Sequence, residues 1–376
     1  MKKLFSPILT IIALTLALSS CDKETVVAPL TIPTTYESAN FATTAATQIG
    51  VGKRVVSITN EAKKGRKATA KVSADSLNYW FTTGSPNLKT INTAYLTGRF
   101  EGATGWFAEI AKASGTTYTP SATITGNGGA FGGYLFDENG LEIEQLIEKG
   151  QFGSVLYNHA TTLLSSKITA ETVDQVVAIF GANPTFPNTP TASKTAQPDL
   201  YMSNYAARRD KNDGKGLYTQ MKNAFLKLQA AVKAGSDYDK DRDAAVADVK
   251  LTWEKVNAAT IINYCHAVIT TMSQTTTTDA QKGSALHAYG ECVGFTHGWR
   301  TISASQKKIT DAQIDEVLDL LNAPATGTPT SYKFVTEPVT QLPKLTQIIT
   351  KLKGIYGFTD AEIEDFKSNW VSVQGR

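Results

Sequence analysis

Histidine and cysteine are scarce here, four and three among 376 residues. Neither falls into the CxxC or HExxH spacing of the strong zinc motifs. No serine sits in a nucleophile elbow with recognisable histidine and aspartate partners. An excess of one charge is lacking too: the formal net charge is +3, which is no electrostatic footprint for nucleic acid. Sustained period-two alternation is absent, so nothing predicts a sheet. The Gly/Thr-rich stretch 115–133 has no apolar strand entering it and no P-loop Lys-Ser/Thr pair leaving it, and reads as a flexible loop. Asp210-Lys211-Asn212-Asp213-Gly214 looks like a calcium loop, but its glycine comes one position early and Met221 stands where the closing glutamate belongs. What is present is an ordinary globular composition, 41% apolar and 19% charged, enough for a sizeable core.

The first twenty residues have the parts of an export signal: Lys2 and Lys3, an apolar stretch over 8–18, then small residues. That stretch is about eleven residues, short of the roughly 20 a spanning helix needs. Leu18-Ser19-Ser20-Cys21 resembles the lipobox of bacterial lipoproteins, in which the cysteine is acylated before cleavage. Residues 1–20 are therefore expected to be a signal peptide, Cys21 the lipidated residue, and 21–35 an anchor and extended tether stiffened by Pro29 and Pro33. Asp22 and Glu24 fit a surface-export signal and a solvated spacer equally. The expected location is the cell envelope, lipid-anchored at the outer membrane on its surface or periplasmic face. Without Lys2 and Lys3 the charge falls from +3 to near +1.

Beyond the tether the periodicity is helical. Apolar residues recur at three- and four-residue intervals over 141–164, 173–180, 218–233, 241–271, 283–303, 311–322 and 342–356. Thr169 and Gly181 bracket one helix as cap and stop. The basic stretch 53–71, with Arg54, Lys63, Lys64, Arg66 and Lys67, reads as a solvated face or loop. Residues 181–199 hold four prolines and no amphipathic element. The expected fold is an all-α helical bundle in two halves, 36–180 and 200–372, joined by a Pro-rich linker over 181–199.

Three of the four histidines fall in the helical pair 241–303. His287 and Glu291 share a helix face at i,i+4. A turn near Thr277 and Thr278 leaves Cys265 and Cys292 nearly equidistant from it, and by the same symmetry sets His266 near Glu291. Three readings of the cysteines fit: a disulfide stapling the hairpin, inert buried thiols, or a share in a metal or haem site. The metal alternative takes His266, His287 and Glu291 as ligands for iron or zinc. Arg208, Asp210, Asn212 and Asp213 form a candidate ligand-binding loop.

The lipobox, the Phe180-Gly181 helix end, the run from Gln197-Pro198-Asp199 to Tyr205-Ala206-Ala207-Arg208, and the 210–214 loop resemble a family of Gram-negative lipoproteins known only as a domain of unknown function. The likeness covers most of 35–372. More remotely, the chain is similar to the imelysin-like proteins, helical two-domain envelope proteins linked to iron uptake and once classed as peptidases. Their motif has Gly, His two positions on, and Glu three further. The nearest stretch here is Gly140-Leu141-Glu142-Ile143-Glu144-Gln145, with Glu142 and Gln145 in the places of His and Glu. Glu142 and Glu144 otherwise read as polar-face residues. The resemblance implies a non-enzymatic binding or accessory lipoprotein in iron or haem acquisition, partnered by the membrane, an envelope protein or a small ligand, without nucleic acid. A metal-dependent hydrolase and a structural interaction module are the alternatives.

Overall fold

The computed structural model describes residues 27–376. Cys21 and the export signal lie outside the described residues. The fold is all-α, with one short two-stranded hairpin among the described residues. Its frame is α1 (Ala46–Lys63), α2 (Ala74–Thr82), α3 (Ile143–Gln151), α4 (Ala170–Phe180), α5 (Tyr201–Arg208), α6 (Leu217–Ala234), α7 (Asp239–Met272), α8 (Asp279–His297), α9 (Asp311–Leu320) and α10 (Pro338–Tyr356), joined by shorter helical turns. No helix among the described residues is long and apolar enough to cross a membrane.

Local chemistry sets the helix ends. Thr169 and Thr172 form a reciprocal capping box for α4, and Gly181 stops it in the left-handed region at φ +90°. Thr278 and Gln281 do the same for α8, Thr310 and Gln313 for α9. The spine is α7, 34 residues and so about 50 Å long. It packs against α6, α8 and α10. Trp253 of α7 is buried against Phe180 of α4 at 4.8 Å and Tyr157 at 5.5 Å between ring centroids. The core therefore runs without a break across both sides of segment 181–199, which is itself irregular and buries Ala182 and Phe186.

A glycine stripe places the site. Gly290, Gly294 and Gly298 recur every four residues along one face of α8 and its end, turned towards α3. A Cβ on Gly294 would stand 2.3 Å from the Gln145 carbonyl oxygen, and one on Gly298 2.5 Å from that of Gly150. Only the missing side chains let the two backbones approach this closely. The contact draws the polar residues of α3 and the turn before it against those of α8.

The stretch expected to be a flexible loop, 115–133, carries the first strand and the turn of the hairpin: β1 (Gly129–Phe131) pairs antiparallel with β2 (Tyr134–Phe136) just beyond it. Gly132 and Gly133, both at positive φ, make its two-residue turn. Its sequence alternates too briefly for periodicity to reveal it.

Candidate functional site

A cavity of about 370 Å³ opens between α1, α3, α5 and α8. Lys63 of α1 and Arg66 just beyond it, Glu148 and Lys149 of α3, Arg208 of α5, and His287 and Glu291 of α8 bring its charge. Phe152, Tyr201 and Tyr205 supply aromatic wall.

Glu142 and Glu144 stand behind this lining, both with no exposed surface. They are a buried ionic anchor, not the polar-face residues the sequence suggested. Glu144 accepts two hydrogen bonds from Arg66, at 2.6 and 2.7 Å, and Glu142 accepts a longer one at 3.5 Å. The Arg66 guanidinium also lies 4.9 Å from the Tyr134 ring centroid. Arg66 is thus pinned half-buried, and the basic stretch is not uniformly solvated. Burial first, then the neighbouring charge of Glu142, pushes the Glu144 pKa up to about 7 against the pull of Arg66.

His287 is held on three sides. Its Nδ1 lies 2.7 Å from Glu142, its Nε2 lies 3.6 Å from Glu291, and the Tyr134 ring stacks on it at 4.3 Å. Burial alone would lower its pKa; the charge and hydrogen bond of Glu142, with Glu291 behind them, overcome this and raise it. Lys149 is nearly buried, 2.9 Å from Glu148 and 3.5 Å from Glu291. Burial opposes its charge, but Glu148, Tyr205 and Glu291 hold the ammonium well above its usual range. On this wall Gln145 Oε1 is buried without a hydrogen-bond donor, and Glu291 Oε2 has none but the neighbouring Tyr264 hydroxyl. Such an orphan costs about 1–3 kcal/mol until a donor arrives.

The expected site residues divide. His287 and Glu291 come together; His266 does not join them. It is half-buried, faces Lys367 and Glu364, and its Nε2 has no partner. The hairpin symmetry was sound, since the Cys265 and Cys292 sulfurs face each other at 3.9 Å. One residue further along, however, a helix has turned by about 100°. The two cysteines are free buried thiols in this structure, in place of the stapling disulfide. His159 lies outside the cavity lining, and His297 is a core residue bonded to Tyr95, its pKa pushed down to about 3 by burial and then by Arg99 and Arg300.

The 208–213 loop divides as well. Arg208 reaches the cavity, whereas Asp210 turns inward and accepts from Asn212 and from Thr219 at the start of α6. Asn212 bonds Asn188 and Asp213 accepts from the Lys215 amide. Asp199, in the Gln197-Pro198-Asp199 run, accepts from Asn183, Ser203 and Tyr218. Those motifs are latches of the fold.

A divalent metal does not fit this donor set. Among the described residues no group of three or more His, Cys, Asp or Glu is arranged to hold one. The carboxylates nearest His287 are already neutralised by Arg66 and Lys149, so a dication would add uncompensated charge to a buried site. No family model, curated protein or solved structure matches the chain.

Proposed function

We propose that the protein is a lipid-anchored lipoprotein of the cell envelope that works as a non-enzymatic binding module. Its ligand site is the cavity between α1, α3, α5 and α8. One observation carries this reading: a polar cavity whose side chains are fixed by ion pairs, yet which keeps acceptor capacity unused at Gln145. No serine or cysteine lines it, and His287 already has Glu142 and Glu291 at its two nitrogens. Iron and zinc are not the ligands proposed, because the carboxylates already have cations. The hydrolase alternative loses its third ligand with His266. A docking role alone draws little support from the large exposed apolar residues, which are few and scattered along the chain.

Two measurements test the reading. Labelled palmitate fed to cells making the full chain is expected to mark the protein and to be lost in Cys21→Ser; an unlabelled wild type would remove the anchor. Native mass spectrometry of the full chain from its own cells is expected to find a bound small molecule. Asn60→Trp, at the cavity rim, should release it. The same bare mass for both proteins would count against a binding module.

A further inference from the structure

The carboxylates of the cavity all have cations, but one cation has no carboxylate. Arg66 is held by Glu142 and Glu144, and Lys149 by Glu148 and Glu291. Lys63, exposed at the rim, reaches Glu148 at 3.9 Å. Arg208 is the exception. Its Nε donates to Asn204 at 3.0 Å, and its guanidinium lies 5.0 Å from the Tyr205 ring centroid. Among the described residues no carboxylate lies within ion-pair distance of it; burial opposes its charge, and the Tyr205 and Tyr264 hydroxyls with the more distant Glu291 hold its pKa up.

A guanidinium lying over a ring, with only its Nε engaged, leaves its terminal fork facing the cavity, the group that grips a carboxylate at two points. The unmet acceptor of the same cavity, Gln145 Oε1, asks for the opposite chemistry, a hydroxyl or amine donor, and Glu291, with the Tyr264 hydroxyl beside it, can accept another. The balance of fixed charge agrees. Lys63, Arg66, Lys149 and Arg208 stand against Glu142, Glu144, Glu148 and Glu291. His287 is additional, with its pKa raised, so protonation tilts the cavity positive. A neutral ligand would leave Arg208 unmatched, and a cation would worsen the excess.

We propose that the cavity holds a small organic acid that also bears hydroxyl or amine groups, its carboxylate forked by Arg208 and its donors turned towards Gln145 and Glu291. This rests on the binding reading above. Sugar acids and amino acids share that chemistry, and the test separates them.

Calorimetric titration of the full lipidated chain in detergent would use D-glucuronate, L-glutamate and neutral D-glucose. Glucuronate or glutamate is expected to bind at least tenfold more tightly than glucose. Arg208→Ala should lose at least tenfold of that affinity with its melting temperature retained, and Arg208→Lys should recover part. Glucose binding as well as both acids, in wild type and Arg208→Ala alike, would overturn the anionic assignment and leave the binding module standing. Absence of binding by both acids overturns it too; the mass measurement above then decides separately whether the cavity binds anything.

Discussion

Glu144 is ionised only at a cost, since it has no exposed surface and Glu142 lies beside it. Its pKa rises from 4.5 to about 7, and burial lifts Asp137 from 3.8 to about 7. His287 is also raised, by Glu142 once burial is overcome. All three bind protons more readily folded than unfolded, so each contributes stability on the acid side that is lost as pH rises through its folded pKa. Glu148, lowered by Lys149 and Lys63 against burial, acts oppositely below about pH 4.5. His297, pushed down to about 3, and His159 and His266, also lowered by burial, oppose this up to about pH 6.5, so the melting temperature is expected to fall between about pH 6.5 and about pH 8. Glu144→Gln should flatten part of that slope, measured by calorimetry across pH; an unchanged slope would deny Glu144 its role. At this scale the sequence singles out His287, Glu291 and Arg208, which line one cavity, but misjudges Glu142 and Glu144. Charged residues next to a glycine look solvated until the partner that buries them is known, and Arg66 lies 76 residues away from Glu142.

Between elements, the close approach of α3 and α8 holds the site together. Gly294→Ala would drive a methyl into the Gln145 backbone, which cannot rotate aside. The expected loss is about 1–3 kcal/mol, read from urea unfolding. Gly354→Ala in α10 is the control. Nothing lies within 4 Å of its added carbon, so helix propensity should raise stability by up to about 1 kcal/mol. Equal effects at the two positions would contradict the packing argument. The helices themselves were readable: the Thr169 cap and Gly181 stop, and the periodic segments of α6, α7, α9 and α10, lie where the residues put them, whereas α8 starts four residues before the expected 283–303 and ends six short of it. Two further signals stand in the sequence. The spacing of Gly290, Gly294 and Gly298 marks a close helix contact, and Gly132-Gly133 between Phe131 and Tyr134 marks a hairpin turn. Periodicity reports which face is apolar; it says nothing about which partner that face will meet.

Across the whole molecule, the cavity draws α1 and α3 from before the Pro-rich segment and α5 and α8 from after it. The core is continuous through the same region. One cooperative unfolding transition is expected by fluorescence and circular dichroism together; two separated transitions would show that the halves are stable alone. The sequence could mark 181–199 as irregular, since four prolines preclude a helix there. It could not show that chain segments on either side close over one site, because that depends on contacts far apart in sequence. Hydrogen exchange of the full chain, with and without the small-molecule fraction of its own cell extract, tests this arrangement most directly. Protection is expected to rise together over 55–66, 145–152, 200–208 and 287–291 and to be lost in Asn60→Trp. Exchange unchanged in all four segments would contradict a ligand site in this cavity.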